Sequence, residues 1–253
     1  MSISIDLLVA ESLYQSYADK VVLDGLSLNV EAGEIHGLLG ANGAGKTTTL
    51  NILAGLVPPK SGNVYVCGKA VWPRPESIKA LVGFVADEPI FIPNLSAFEH
   101  ASLFARCFGF GRASKDRAEE VLSLVGLLET KDSRVEELSR GMKKRLALAL
   151  ALVARPKVLL LDEPTVGLDP MWIRKVKDLL CKFKEEGLAI VFSSHLLELV
   201  ESVVDRVTVL KAGRVIGSGI LDDLRDQASV DEKADLERVF FALTDPEDVP
   251  TGD

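Results

Sequence analysis

One short loop fixes most of what this chain can fold into. Gly40-Ala41-Asn42-Gly43-Ala44-Gly45-Lys46-Thr47 matches G-x-x-x-x-G-K-[ST] without a mismatch. The run Glu34 to Gly40 before it reads as a buried strand, and Thr47 to Leu56 after it reads as a helix. That frame gives the loop its chemistry. Three glycines let the backbone curl so that its N–H groups face inward. The helix start adds the positive end of its dipole. Lys46 can then reach the β- and γ-phosphates of a nucleoside triphosphate, and Thr47 can ligate Mg²⁺. The loop by itself specifies the nucleotide and nothing about its use.

A second element narrows the chemistry. Val158 to Leu161 is apolar and runs into Asp162-Glu163-Pro164. A buried strand ending in two carboxylates would bring them to the edge of a sheet, beside the phosphate loop. Asp162 there can hold Mg²⁺ through water, and Glu163 can polarise an attacking water.

The rest of the chain supplies the frame. Leu7 to Val30 carries short β-rich runs, with Leu26, Leu28 and Val30 alternating with polar residues at the period of a half-buried strand. Further strands are expected at Gly62–Gly68, Leu81–Ala86, Val158–Leu161, Ala189–Phe192 and Arg206–Leu210. Between them, Pro89 and Pro93 punctuate a loop, and Ser96 with Glu99 forms a capping-box pattern. From there to about Arg155 the periodicity is helical, with Met142, Leu146, Leu150 and Val153 on one face. Alternating strands and helices imply an α/β protein with a mostly parallel sheet covered on both faces. Past Leu224 the chain is acidic and holds one more amphipathic helix, with Ser229 and Glu232 as its capping pair and Leu236, Val239, Phe240 and Leu243 on one face. Asp245 to Asp253 reads as disordered.

Composition excludes several classes. A net charge of −8 is unlike the basic balance of most nucleic-acid binders, so no nucleic acid is expected as partner. Cys67, Cys107 and Cys181 are far apart and show no paired spacing, which argues against a zinc site or a disulfide framework. Met1 to Leu8 lacks the basic and apolar regions of a signal peptide. The longest apolar run, Leu146–Ala154, is far short of the ~20 residues of a spanning helix. A cytoplasmic protein is the expectation.

With these residues in place, the chain resembles the ATP-binding cassette family along nearly its whole length. Leu138-Ser139-Arg140-Gly141-Met142 resembles the family signature Leu-Ser-Gly-Gly-Gln. Ser139 and Gly141 are retained, and Arg140 is a variation shared with bacterial exporter cassettes. Gly167-Leu168-Asp169 matches the loop that crosses the family's dimer interface, and His195 matches its switch histidine. Tyr17 lies where the family stacks an aromatic on adenine, with Tyr14 as competitor. Asp87 stands where the family has a glutamine that ligates Mg²⁺; a carboxylate can do the same but adds negative charge near the phosphates.

The resemblance implies a phosphate-loop ATPase core with an N-terminal antiparallel β subdomain and an inserted helical subdomain. It divides the chain into an ATPase domain at 1–225, a helical insertion at about 89–155, and a C-terminal helix with acidic tail at 226–253. Gly40 through Thr47, with Thr48, would bind ATP together with Tyr17, Ser139, Gly141 and Asp169. Thr47, Asp87 and Asp162 would hold Mg²⁺, and Glu163 and His195 would be catalytic. Ser139 would cap a helix whose N-terminus meets the γ-phosphate held by a second cassette, in a head-to-tail dimer, most simply a homodimer. The partner would be a separate transmembrane permease, served from the cytoplasmic face and working in export. Glu88 to Ser96 and the helix from about Ala97 would be the docking surface. A soluble cassette without transport role, as in iron–sulfur cluster assembly, would carry the same catalytic motifs.

Overall fold

The chain opens with a long hairpin, β1 (Asp6–Tyr17) and β2 (Lys20–Glu31), in this computed structural model, which describes residues 6–245. Residues 1–5 and the acidic stretch past Asp245 lie outside the described residues. Leu26, Leu28 and Val30 are all buried, as their alternation requires. In β1 the alternation breaks, because the register shifts between Ala10 and Leu13 and Ser12 takes a left-handed φ of 47°. Such a bulge puts Ala10 and Leu13 on the same buried side and hides the strand from a period-two reading.

Next come β3 (Ile35–Gly40), α1 (Lys46–Leu53), β4 (Ser61–Val66) and β5 (Lys69–Ala70). The helix α1 stops short of the expected Leu56, since Gly55 turns out of it at φ 72°. Strands β2, β1, β4 and β5 form one antiparallel sheet in that order.

After β6 (Val82–Val85), three helices follow: α2 (Ala97–Cys107), α3 (Ser114–Leu124) and α4 (Arg140–Leu152). Both arms of the expected capping box close on α2. The Ser96 N–H donates to Glu99 Oε2 at 2.7 Å, and the Glu99 N–H donates to Ser96 Oγ at 3.1 Å. Leu146, Leu150 and Val153 are buried, with Met142 packed partly against the same core.

The chain then returns to the sheet through β7 (Val158–Asp162), α5 (Pro170–Glu185), β8 (Ala189–Ser193), α6 (Leu197–Glu201), β9 (Arg206–Lys211) and β10 (Arg214–Gly219). It closes with α7 (Leu221–Ala228) and α8 (Leu236–Thr244). The second sheet runs β10-β9-β3-β8-β7-β6, parallel except at β10. Every residue of β3, β7 and β8 is buried, as expected where helices cover both faces.

The C-terminal helix corrects the expected cap. Ser229 adopts φ 53° and ends α7, a helix the sequence reading did not separate. Asp235 caps α8 instead, accepting from the Arg238 N–H at 2.8 Å. Leu236 and Val239 are buried and Phe240 and Leu243 pack partly on the core, so the expected face holds although the start moves.

The parallel order positions the site. Strands β3, β6, β7 and β8 all end at the same edge, so the loops after Gly40, Val85, Asp162 and Ser193 converge there.

Candidate active site

A cleft of about 420 Å³ opens at that edge. It is lined by Asn42, Gly43, Gly45, Lys46, Thr47 and Thr48 of the loop after β3, by Asp87, and by Asp162, Glu163 and His195. Tyr17, Lys20 and Val22 of the hairpin close the remaining side. Eleven residues expected from sequence therefore share one cavity.

The loop needs glycine at two places. A Cβ on Gly40, at φ 155°, would lie 2.6 Å from the Leu210 carbonyl oxygen. One on Gly45, at φ 111°, would lie 2.7 Å from Leu23 and 2.8 Å from the Val22 carbonyl oxygen. The loop is thus wedged between β9 and the hairpin. Gly40, Ala41 and Ala44 do not line the cleft. Ala44 turns into the core, and the carbonyls of Gly40 and Ala41 accept from Lys46 Nζ at 2.6 and 3.3 Å. Lys46 is buried. Burial pulls its ammonium below the ordinary lysine value, and Glu163 and Asp162 pull it back part of the way.

The two carboxylates differ. Asp162 is buried, and one oxygen, Oδ1, accepts from Ser193 Oγ at 2.6 Å. Its other oxygen, Oδ2, has no hydrogen-bond partner among the described residues. Glu163 sits just past the strand at φ 47°, a left-handed conformation that costs a residue with a side chain about 1 kcal/mol or more. Its backbone N–H donates to Ser193 Oγ at 3.1 Å. Its Oε1 lies 3.0 Å from His195 Nε2, and its Oε2 accepts from the His195 N–H at 3.3 Å. Burial pushes the Glu163 carboxyl above its ordinary value, against the pull of His195 and Lys46, while Asp162 adds to the rise. Backbone strain and a raised carboxyl thus coincide at Glu163.

Asp87 also reaches the cleft, where its carboxylate pairs with Lys144 Nζ at 3.2 Å. Tyr17 is a lining residue and Tyr14 is not; the Tyr14 hydroxyl lies against Gly25.

Ser139, Gly141 and Asp169 stand apart from this cavity. Ser139 Oγ accepts from the Met142 N–H at 3.2 Å and caps α4. Asp169 Oδ1 accepts from the Trp172 N–H at 3.0 Å and caps α5. A Cβ on Gly141 would lie 3.0 Å from the Gly167 carbonyl oxygen, and the Arg140 side chain lies against Gly167, so the signature segment and the Gly167–Asp169 loop touch each other.

Sequence reasoning missed four residues here. Ser193 pairs in register with Asp162 across β7 and β8 and holds both carboxylate residues. A hydroxyl ending an apolar strand level with Asp162 was the signal. Lys144, Lys20 and Val22 left none, because their places depend on tertiary packing.

Known proteins resemble this chain in sequence and in fold. A family model described as ABC transporter matches residues 23–166. The linearmycin resistance ATP-binding protein of Bacillus subtilis is 36% identical over 219 residues, covering 86% of this chain and 70% of that protein. The Nod factor export ATP-binding protein I of Burkholderia orbicola is 42% identical over 209 residues, covering 80% and 67%. A dimeric ATP-binding cassette solved in a post-hydrolysis state with ADP and phosphate superposes with a TM-score of 0.78 at 28% identity, covering 85% of this chain and 98% of that one. The chain therefore belongs to the ABC transporter family, as an ATP-binding subunit with the fold and the ATPase activity of its cassettes.

Proposed function

We propose that this chain pairs with a second copy of itself and drives a separate permease for export, from the cytoplasmic face of the membrane. The observation that carries the pairing is the distance in role between two parts of one chain. Lys46, Asp162, Glu163 and His195 share a cleft that Ser139 and Gly141 do not line. A triphosphate in that cleft meets a capped α4 N-terminus only when another chain supplies it. The similarity to a dimeric cassette supports that arrangement.

Residues 1–225 form the ATPase domain in this reading, with the helical insertion at about 89–155 and a C-terminal segment at 226–253. In the cleft, Tyr17 stacks on the base, and the loop N–H groups with Lys46 and Thr48 hold the phosphates. Lys46 leaves its own carbonyls to do so. Glu163 accepts a proton from water as the water oxygen bonds to the γ-phosphorus. The bond from that phosphorus to the bridging oxygen breaks, giving ADP and phosphate. His195 orients Glu163 through its ring and backbone contacts and meets the γ-phosphate. The buried, unpartnered Oδ2 of Asp162 suits a hard cation, and Thr47 and Asp87 supply further oxygens. Mg²⁺ bound there would offset phosphate charge as the bond breaks.

Export is the direction that the relatives' names support, with linearmycin resistance and Nod factor export among them. The docking surface is supported by exposed apolar side chains beyond Asp87. Ile90 is 97% exposed and Ile92 51%, and Ile90, Phe91, Phe104 and Phe108 border a groove of about 230 Å³. No helix among the described residues is long and apolar enough to cross a membrane.

The test is recovery of partners from detergent-solubilised membranes of the source cell, using the Glu163→Gln form with ATP. The expected result is a multi-span membrane protein without a cassette of its own. Recovery of soluble partners alone, with and without nucleotide, would refute the transport role.

A further inference from the structure

Lys144 is 6% exposed, although it lies in a Lys-Lys-Arg run on α4. Its ammonium faces four oxygens: the Asp87 carbonyl at 2.7 Å, Asp87 Oδ1 at 3.2 Å, and the carbonyls of Ala86 and Asp162 at 3.4 Å each. One cation thus ties together the loop after β6, the end of β7 and the helix that starts at the signature segment. The carboxylate it meets is half exposed and lines the cleft with Lys46 and Thr47. A carboxylate at that place repels a triphosphate unless a cation offsets it.

We propose that Lys144 and Asp87 act as a unit, with Lys144 the positioning residue that compensates the Asp87 carboxylate and so sets how strongly nucleotide binding depends on Mg²⁺. With Lys144 in place, Asp87 presents little net charge to the phosphates and is held at the cleft wall. Without Lys144, the bare carboxylate weakens binding of metal-free ATP and leaves the site more dependent on Mg²⁺. A lysine that only pinned the three carbonyls would act the same whatever side chain stood at 87.

The inference rests on the reading of this cleft as the ATP site. It is tested by calorimetric ATP titration of the full chain carrying Glu163→Gln, once with Mg²⁺ and once with EDTA. The readout is the ratio of the two dissociation constants, EDTA over Mg²⁺. Lys144→Met should raise that ratio by about tenfold, the effect of one uncompensated charge a few ångströms from the phosphates in a half-solvated cleft. Adding Asp87→Asn should return it to within about twofold of the parent, because the charge needing compensation is gone. Equal effects of Lys144→Met with Asp or Asn at 87 would overturn the pairing. If Lys144→Met fails to fold, Asp87→Asn alone decides. It frees the Lys144 charge and should tighten metal-free ATP severalfold, and an unchanged ratio overturns the pairing. Absence of ATP binding in the parent form, in both conditions, would overturn the reading of the cleft and the pair with it.

Discussion

The two ends of β3 both carry buried charge, and they treat it differently. Where β3 begins, Glu34 Oε1 meets His36 Nδ1 at 3.1 Å and Arg206 at 3.7 Å, and Glu34 Oε2 accepts from the Glu31 N–H at 2.8 Å. His36 Nε2 reaches Thr208 Oγ1 at 2.9 Å, and Asp205 accepts from the Ile35 N–H at 2.9 Å while pairing with Lys184. Both Glu34 carboxylate oxygens are thus partnered. Where β3 ends, Asp162 keeps a partnerless oxygen, Glu163 holds a left-handed backbone, and Lys46 bonds the carbonyls of its own loop. One end is arranged for stability. The other, in the proposed reading, keeps polar capacity in reserve for the nucleotide, at a cost to the fold.

The largest expected effect breaks the reserved end. Glu163→Gln keeps the size of the side chain and removes the base, so phosphate release should fall by about 10²- to 10⁴-fold. ATP should still bind and should shift the protein to a dimer by light scattering. In the unmodified protein, the rate should fall as pH drops through the Glu163 titration. Because burial raises that carboxyl, the falling limb should lie above the ordinary carboxylate range. Retained turnover in Glu163→Gln would remove the distinction between the two ends.

A smaller effect concerns Lys46. Lys46→Met loses charge-assisted hydrogen bonds to the phosphates, worth about 1.5–3 kcal/mol, so the ATP dissociation constant should rise by about ten- to a hundredfold. The same change also frees the Gly40 and Ala41 carbonyls, so a fall in melting temperature without nucleotide would show that Lys46 works structurally as well. An unchanged affinity would mean that its bonds to its own loop are its whole role.

Much of the reserved end was legible in the sequence, because phosphate chemistry dictates residue types at short spacings. The loop from Gly40 to Thr47 and the pair Asp162 and Glu163 could be read from local pattern, and His195 through the family resemblance; Asn42, Gly43, Gly45, Lys46, Thr47, Asp162, Glu163 and His195 line one cavity. The paired end was not legible. Glu34, His36, Arg206 and Thr208 meet only because β3 and β9 pair in parallel, His36 level with Arg206, at a separation of 170 residues. Lys144 is the sharpest case. Its neighbours make it look solvated, and it is buried only because α4 crosses the ends of β6 and β7. Ser229 misled for a related reason: Ser followed three residues on by Glu is a cap pattern, but the left-handed turn at Ser229 and the nearer cap at Asp235 took precedence.

The smallest effect separates the ends by sign. Burial pushes Glu34 up, but the His36 hydrogen bond, the Glu31 N–H and the charges of His36 and Arg206 outweigh it, so the carboxyl lies below its ordinary value. The native state then binds fewer protons than the unfolded chain, and Glu34 contributes stability that is full above the unfolded pKa and is lost as pH falls through the folded one. Glu163 is raised, so its ionised form costs stability above its folded pKa. Glu34→Gln should therefore destabilise the protein at neutral pH, by about 1–2 kcal/mol for a charge-assisted hydrogen bond lost. Glu163→Gln should stabilise it, since the buried charge disappears and the side chain keeps its shape. Urea unfolding across pH would show both differences and their shrinkage in acid. The same sign for both substitutions at neutral pH would mean that the cleft carboxylate is already as well partnered as the one at the start of β3, and that the reserve inferred from Asp162 and Glu163 is not there.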